Sequence, residues 1–446
     1  MQLCRFTFLP CLNHFVYFAY FVVYKTAQPA PPVSLRQLHV DLAVSDAARW
    51  GVSPGLDSIG NEQMPEAEPL KMRCAAPAGA RPLADILNDP LREYAVKGTV
   101  HIPRHAQTLP YPLHLDGDWR PEFVRFLEHE YAPVYTASMA GGRVIGLGNI
   151  VSPDNYIVDD ATPNYDTGQV PDKVSLLAGR ETLPPATFID GRVLVLSATY
   201  CDTYYHWLYH VLPKAALFRD VGGYDKVYAR AATGFQQETL RLIGIPEAAV
   251  IPASPAAHIQ ARELVFSSYL SLLSERLRSM LLQFIRDGCR LSGAAGGTRK
   301  LYISRQDAAN GRTIVNEDEL MGFLAAEGFD RLVLSEFPFE QQVAIFSSAA
   351  FIVGPHGSGM GNAVFSGPGT RMIEIFDPSY VHPCMWRQTA NLGIHYAYVL
   401  GTGPEHKEQP FLWRLKKPMH IDLDKFRRIY EAVRDCGEKS AGGHAQ

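Results

Sequence analysis

The amino-acid sequence predicts an α/β protein built around a parallel, doubly wound β-sheet, and three observations support this prediction. Apolar runs of strand length alternate with amphipathic helical runs between residues 299 and 376. The connections are short and the strands are apolar nearly throughout, as in sheets covered on both faces. A chain of 446 residues, 47% of them hydrophobic and 20% charged, can bury such a core.

The N-terminal part has a different character. Residues 6–24 carry no charge and are long enough for a membrane span of roughly 20 apolar residues. Pro10 and Asn13 interrupt this run, so residues 1–24 are interpreted as a hydrophobic leader or as an anchor. Residues 25–90 are rich in proline and alanine and are typical of a poorly ordered linker.

The segment 91–220 begins with short predicted strands and turns, among them the runs RVIGLG and RVLVLS. The run TYYHWLYHVLP follows and is predicted to be a helix that ends at Pro213, because proline cannot continue a regular helix.

The segment 221–400 is more regular. It opens with the strand KVYA, the helix FQQETLRLI, the strand ELVFSS and the amphipathic helix SERLRSMLLQFIRD. Beyond residue 299 the predicted strands are RKLYIS, RLVLSE, FIVG and TRMIEIF, and the predicted helices are NEDELMGFLAAEG and FEQQVAIFSSA. Ligands of such sheets bind beyond the carboxyl ends of the strands.

A glycine-rich loop, GPHGSGMGN, follows one of these strands and contains His356, Gly357, Ser358, Gly359 and Asn362. Small residues let a ligand approach the backbone, and the start of the next helix offers N–H groups to an anion such as a diphosphate. The spacing fits neither G-x-G-x-x-G nor G-x-S-x-G, so it predicts neither a dinucleotide fingerprint nor a nucleophile elbow. A tight turn without a ligand is the alternative.

Three charged residues lie near the same strand ends. Arg305 and Arg312 share a loop, and two guanidinium groups beside a helix start suit a diphosphate. Each could also be a solvated loop charge. Glu374 lies near the end of a strand that the pattern predicts to be buried, where a carboxylate needs partners such as ribose hydroxyls.

His206 and His210 are four residues apart and share one face of the predicted helix. A neutral histidine can act as general base toward a sugar hydroxyl. A metal pair is the competing interpretation, but the spacing supplies no third ligand. Asp116 and Asp118 have the D-x-D form of metal-dependent nucleotide-sugar enzymes, although Asp-Gly is also a common turn pair.

Composition excludes other classes. Lys and Arg total 42 against 46 Asp and Glu, giving a net charge of −4, so no net positive field favours a nucleic acid as partner. The seven cysteines include no C-x-x-C pair, which argues against a disulfide framework or a thiolate zinc site and favours a reducing compartment.

Taken together, the motifs resemble glycosyltransferase family 61. The runs that carry the resemblance lie between about residues 190 and 400: YYHWLYHVLP, LYISRQDAANGRTIVNEDEL, EGFDRLVLSEFPFEQQVAIFSSAAFIVGPHGSGMGN and MIEIF. The resemblance implies a GT-B architecture, in which two Rossmann-like lobes face a cleft. Residues 91–220 would be the acceptor-side lobe, residues 221–400 the nucleotide-sugar-binding lobe, and residues 401–446 a tail whose helix returns to the N-terminal lobe.

The resemblance also implies site residues. The positions that match the family's donor-binding residues, for the diphosphate and nucleoside, are Arg305, His356, Gly357, Asn362 and Glu374.

The acceptor side matches less completely. His206 matches the histidine of the family's H-W segment. Bacterial relatives commonly carry aspartate four residues later, where this chain has His210, and alanine where it has Ser358. On this interpretation His206 or His210 is the base, while Arg305 and Arg312 stabilise the departing nucleoside diphosphate.

The implied function is inverting transfer of a sugar from a nucleotide-sugar, with a UDP-linked donor expected, to a glycan or lipid-linked saccharide in polysaccharide, capsule or glycoconjugate biosynthesis. The resemblance also implies that no metal or other cofactor is required. The expected location is the cytoplasm, with peripheral or N-terminal attachment to the inner membrane as the alternative. Two further hypotheses stay open: a metal-dependent D-x-D transferase, and a non-catalytic nucleotide-sugar- or glycan-binding module.

Overall fold

The computed structural model describes residues 74–75, 77–115, 120–162, 182–270, 274–289, 297–308, 311–406 and 416–435. The uncharged stretch 6–24, the linker up to residue 73, and both Asp116 and Asp118 lie outside the described residues. In the part of the chain that is described, no helix is both long enough and apolar enough to cross a membrane.

A mixed sheet of ten strands dominates the first half of the described chain. Its strands are β2 Gly79–Arg81, β3 Val96–Ile102, β6 Val134–Ala140, β7 Arg143–Ile145, β8 Asn149–Val151, β9 Tyr156–Val158, β11 Thr187–Leu196, β12 Lys226–Ala229, β13 Val250–Pro252 and β14 His258–Ser267. Two separate two-stranded sheets are formed by β1 Cys74–Ala75 with β10 Thr182–Leu183 and by β4 His105–Thr108 with β5 Glu128–Tyr131. In the ten-stranded sheet, β13 at one edge and its successive neighbours β12, β11 and β14 run parallel, whereas β6 and β7 pair antiparallel with β14.

A second sheet has five strands, all parallel, in the order β16-β15-β17-β18-β19. Its strands are β15 Arg299–Ser304, β16 Phe329–Val333, β17 Ala349–Pro355, β18 Arg371–Phe376 and β19 His395–Leu400. Successive side chains of β15 enter different cores, since Leu301 and Ile303 lie in one apolar cluster and Tyr302 in another. Both faces are therefore covered, which confirms the predicted α/β fold with a parallel sheet.

Helices connect and cover these strands. The α-helices are α1 Leu83–Leu87, α2 Pro121–Val124, α3 Tyr204–His206, α4 Leu212–Phe218, α5 Gly234–Leu242, α6 Glu275–Cys289, α7 Glu317–Ala326, α8 Phe339–Ser347, α9 Cys384–Thr389 and α10 Leu423–Asp435. The glycine-rich loop leads into a 3-10 helix, Ser358–Phe365, and shorter 3-10 helices span Glu247–Ala249, Leu334–Glu336 and Ala390–Leu392.

The boundary between the two sheets differs from the boundary between lobes that the sequence predicts at residue 220. Strands β12 and β14 both pair in parallel with β11, so residues 226–267 extend the first sheet. The change of sheet lies between Ser267 and Arg299.

The expectation that the C-terminal helix returns to the N-terminal lobe is wrong. Helix α10 packs on β18 and β19 of the parallel sheet. Its buried side chains Phe426 and Tyr430 join the apolar cluster on one face of that sheet, and the Tyr430 ring stacks on Phe351 with centroids 5.3 Å apart. Burial of this apolar side fixes the helix to the sheet whose strands precede it.

The helix after β11 contains a π turn, Trp207–Val211, between α3 and α4. The predicted stop at Pro213 is wrong, because the helix continues through this residue to Phe218. In the π turn the amide of Leu212 bonds to the carbonyl of Trp207, five residues back. The widened turn accommodates a proline ring that would clash with a carbonyl in a regular helix.

This helix packs directly on the 3-10 helix of the glycine-rich loop. The Tyr204 hydroxyl lies 2.5 Å from Asn362 Oδ1, and the Tyr209 hydroxyl donates to the carbonyl of Gly361 at 2.7 Å. The approach is close, because a β-carbon on Gly361 would lie 3.2 Å from the Tyr209 ring, which would have to move by a few tenths of an ångström. The segment that carries both candidate histidines is thereby held against the segment that carries the candidate donor site.

Candidate functional site

A cavity of about 530 Å³ opens at the carboxyl ends of β15, β16 and β17. Arg305 and Gly357 line it from the parallel sheet, and Tyr204 and Glu238 line it from helices that follow strands of the first sheet. Its volume is typical of small-molecule sites, and its location is the one that the sequence predicted for a ligand.

Arg305 lies against the backbone of the glycine-rich loop. A β-carbon on Gly357 would be 1.9 Å from Arg305 Nη1, so only glycine leaves room for this guanidinium. The requirement is steric, since Gly357 has an extended φ of 174°. Arg305 Nη2 also contacts the carbonyl oxygen of Gly311 at 3.3 Å.

Arg312 is a buried cation. Its side chain is 8% exposed, its Nε has no hydrogen-bond partner among the described residues, and the Tyr380 ring lies 5.7 Å from its guanidinium carbon. Within that same part of the chain it forms no ion pair. Its backbone adopts a left-handed φ of 60°, which non-glycine residues rarely do.

The two guanidinium groups share one positive region. Burial, followed by the charge of Arg312, lowers the pKa of Arg305 to about 10, and burial lowers the pKa of Arg312 as well. Arg305 remains charged near pH 7 at this pKa, and arginine side chains in general are not deprotonated in proteins. A buried charge is stabilised by a partner of opposite sign. The region therefore favours an anion.

His356 lies behind the arginines with Glu374 as its partner. Its Nδ1 is 2.6 Å from Glu374 Oε1, and the other carboxyl oxygen accepts from the Tyr396 hydroxyl. Glu374 is fully buried, and burial raises its pKa to about 8. Both oxygens of this side chain thus contact protein groups, so Glu374 orients His356 in this structure and does not face a ribose.

The other residues of the glycine-rich loop have different surroundings. Asn362 is fully buried, and its Nδ2 donates to Gln342 Oε1 at 2.8 Å, so it bridges Tyr204 and helix α8. Gly359 lines the cavity, whereas Ser358 is half-buried at the start of the 3-10 helix. Asn362 therefore shapes the cavity from behind its wall.

His206 and His210 adjoin each other on the π-containing helix, with their Nδ1 atoms 3.3 Å apart. The Tyr269 hydroxyl lies 2.7 Å from Nδ1 of His210. Burial lowers the pKa of His206 to about 4. Burial, then the charges of His206 and Lys214, holds the pKa of His210 well below its usual range. Both imidazoles are neutral near pH 7, as a proton acceptor must be.

A third histidine, His382, lies near both His356 and His206. Burial, then His356, Arg387, Arg125 and His206, holds its pKa well below the usual range. Its ligand atom and those of His356 and Cys384 lie within 4.8 Å of one another. These are zinc-type ligands, but the nearby arginine charges oppose a divalent cation and favour an anion.

The structure thus brings Arg305, Arg312, His356, Gly357 and Gly359 together beside the cavity. Sequence reasoning missed Tyr269 and His382. Both follow the carboxyl ends of parallel strands, β14 and β18, and that position was the signal that could have found them.

Residues 204–373 match the family model described as Glycosyltransferase 61. This segment belongs to that family. The resemblance expected from the motifs is confirmed, and the matched segment contains every predicted site residue from His206 to Arg312 and the whole glycine-rich loop.

Two curated relatives are similar to this chain, and both are named protein O-linked-mannose beta-1,4-N-acetylglucosaminyltransferase 2. The Tetraodon nigroviridis protein is 26% identical over 193 residues, which cover 40% of this chain and 31% of the relative. The Bos taurus protein is 27% identical over 161 residues, which cover 33% of this chain and 27% of the relative. The chain spans less than a third of either relative's length. Both names are those of glycosyltransferases, the class of enzyme that the motifs predicted.

The contact between Gly357 and Arg305 predicts the effect of one added methyl group. Gly357→Ala should displace the flexible guanidinium rather than the backbone, and should weaken the binding of inorganic pyrophosphate by roughly tenfold or more, the value of one charged hydrogen bond. Isothermal titration calorimetry measures this change. Gly223→Ala is the matched control, because a β-carbon there meets nothing within 4 Å. Equal affinity in the two variants would contradict the proposed role of this contact.

The buried histidines predict a loss of stability in acid. The pKa of His206 is about 4 in the folded chain against 6.5 when unperturbed, so between these pH values the unfolded chain binds the proton and the folded chain does not. The free energy of unfolding should therefore fall as the pH decreases through this window. Urea denaturation at about pH 7.5 and about pH 5 measures the fall. His206→Gln should show a smaller fall, and an identical one would show that His206 does not contribute.

Proposed function

We propose that this chain is a glycosyltransferase that moves a sugar from a nucleoside-diphosphate donor to a hydroxyl of a glycan acceptor, without a metal ion. One observation carries the proposal: Arg312, beside Arg305 and the cavity, is 8% exposed and forms no ion pair with a described residue. Glu374 is close enough to raise the pKa of Arg312, but burial raises the pKa of Glu374 itself to about 8, so Glu374 is largely protonated near pH 7 and does not neutralise the guanidinium. A buried guanidinium in that state favours a strong anion, and the diphosphate of an activated sugar is one.

The donor would lie along the carboxyl edge of the parallel sheet. Its nucleoside fits the cavity of about 530 Å³, while its diphosphate reaches Arg305, Arg312 and the start of the 3-10 helix at Ser358. Glu374, whose pKa burial raises to about 8, is largely protonated near pH 7 and can donate to Nδ1 of the neutral His356. The imidazole proton of His356 then lies on Nε2, which can donate to a phosphate oxygen. We propose UDP as the nucleotide and an N-acetylhexosamine or pentose as the sugar.

The acceptor would lie beside His206, on the side of the anomeric carbon opposite to the diphosphate. A hydroxyl of the acceptor sugar attacks the anomeric carbon in line with the leaving group, and its proton passes to His206. The new carbon–oxygen bond forms as the bond from the anomeric carbon to the diphosphate breaks, and that electron pair stays on the diphosphate oxygen. One displacement inverts the anomeric carbon, and the arginine charges stabilise the leaving group.

The two sheets, with a cavity lined from both sides, support a GT-B arrangement of two lobes. The acceptor is a glycan or lipid-linked saccharide, and the pathway is polysaccharide or glycoconjugate biosynthesis at the cytoplasmic side of a membrane.

The role of Arg312 predicts opposite effects on binding and stability. Arg312→Met should weaken UDP binding roughly 10- to 100-fold and leave the much weaker uridine binding unchanged. The free energy of unfolding without ligand should not fall, since an unpaired buried charge is removed. Calorimetry and urea denaturation measure the two effects. Arg299→Met, which changes a half-exposed arginine at the other end of β15, is the control.

Unchanged UDP affinity in Arg312→Met would contradict the proposed diphosphate site. Tight UDP binding by the unmodified chain, without transfer from UDP-N-acetylglucosamine or UDP-xylose to any acceptor of a broad panel, would favour the alternative of a non-catalytic binding module.

Metal removal separates the proposal from a D-x-D enzyme. Transfer should proceed equally well in excess EDTA, because guanidinium groups supply the charge that a divalent ion would otherwise supply. Initial rates with EDTA and with added Mg²⁺ or Mn²⁺ measure this. A rate that EDTA abolishes and Mn²⁺ restores would favour the rival mechanism through Asp116 and Asp118.

A further inference from the structure

Three side chains beside the proposed acceptor position form a hydrogen-bonded row. The Tyr269 hydroxyl lies 2.7 Å from Nδ1 of His210, and the same nitrogen lies 3.3 Å from Nδ1 of His206. One nitrogen of His210 therefore faces two neighbours. Nε2 of His206, on the other side of its ring, has no hydrogen-bond partner among the described residues.

The row links two parallel strands of the first sheet. Tyr269 follows the carboxyl end of β14, and the helix with both histidines follows the carboxyl end of the adjacent strand β11. His210 is 2% exposed, and the Tyr269 ring packs on it edge to face, with centroids 5.2 Å apart. Tyr269 thus contacts His210 through both its ring and its hydroxyl.

A neutral imidazole has one N–H donor and one lone pair, so a nitrogen that faces two neighbours either donates or accepts. If Nδ1 of His210 carried the proton, it would donate to Nδ1 of His206. The proton of His206 would then lie on Nε2, and His206 could not accept a proton there. If Nδ1 of His210 is unprotonated, it accepts from Tyr269. If Nδ1 of His206 were also unprotonated, the two nitrogens would face each other lone pair to lone pair at 3.3 Å, which is unfavourable. Nδ1 of His206 therefore carries the proton, shares the lone pair of His210 with the Tyr269 hydroxyl, and leaves its own lone pair on Nε2.

The phenol favours the second arrangement. A tyrosine hydroxyl is a good donor and its oxygen a weak acceptor compared with an imidazole nitrogen. A separation of 2.7 Å is typical of a strong hydrogen bond from a hydroxyl. No carboxylate is hydrogen-bonded to either imidazole within the described residues, so Tyr269 is the group that decides which nitrogen of His210 is protonated.

We propose that Tyr269 is a positioning residue that, through His210, holds His206 in the tautomer with its lone pair on Nε2, facing the acceptor hydroxyl. The inference rests on the proposed function, in which His206 takes the acceptor proton. His210 then serves as a hydrogen-bond acceptor, a role that an aspartate at this position would fill without a tyrosine.

Tyr269→Phe tests the inference because it removes only the hydroxyl. The rate constant kcat should fall roughly 3- to 10-fold, the range for loss of one neutral hydrogen bond, and KM for donor and acceptor should stay unchanged. Selective ¹⁵N labelling of histidine, with the His206 signals assigned by their loss in His206→Gln, reports the tautomer directly. The fraction of His206 protonated on Nδ1 should fall in Tyr269→Phe.

Tyr200→Phe is the matched control. The Tyr200 ring lies 5.5 Å from the His206 ring, but its hydroxyl makes no hydrogen bond to either histidine in the described structure. This variant should keep the His206 tautomer of the unmodified chain.

The readouts separate this inference from the proposed function. An unchanged His206 tautomer in Tyr269→Phe overturns the inference even if the unmodified chain transfers sugar. A changed tautomer with unchanged kcat shows that His206 is not the base, which also overturns it. A fall in kcat together with a higher KM indicates a structural role for Tyr269 and counts against it too. If the chain transfers no sugar, the NMR measurement still tests whether Tyr269 sets the tautomer.

Discussion

The structure of the site depends on the contact between the π-containing helix and the 3-10 helix of the glycine-rich loop. Two tyrosines make it, Tyr204 to Asn362 and Tyr209 to the carbonyl of Gly361. These bonds join residues more than 150 positions apart, so they form only when both sheets are folded. This contact holds His206 against the edge of the parallel sheet that carries Arg305 and His356. The candidate functional site therefore forms only in the folded chain.

The electrostatics of the site follow from an imbalance of buried charge. Arg305 and Arg312 are cations, His206, His210, His356 and His382 are held neutral by burial, and burial raises the pKa of Glu374 to about 8. A buried group normally loses its charge or gains a partner. The arginines cannot readily lose theirs, so the folded chain keeps a positive region that an anionic ligand would neutralise.

Local patterns predicted β7, β11, β12 and β14 of the first sheet and β15 to β18 of the second, because apolar runs of strand length between turn residues are typical of buried strands. They did not predict β19 or the other strands of the first sheet. They could not say which sheet a strand joins, since β12 and β14 have the same apolar character as the strands beyond Arg299, and the boundary at residue 220 followed from that. Arg305 and His356 were predicted from their position at strand ends. The partners Tyr396 and Tyr269 were not, because they lie 22 and 59 residues from Glu374 and His210 and only tertiary pairing brings them together.

The π turn gives Pro213 a further significance. A proline within a helix is tolerated here because the extra residue in the turn widens the backbone just before it. Losing one residue between His206 and Pro213 would restore α-helical spacing, bring the ring against a carbonyl and rotate one imidazole away from the other. The proline therefore makes the regular helix unfavourable as an alternative state, and the local chain geometry that aligns the two histidines is protected against slippage by a residue that does not line the cavity.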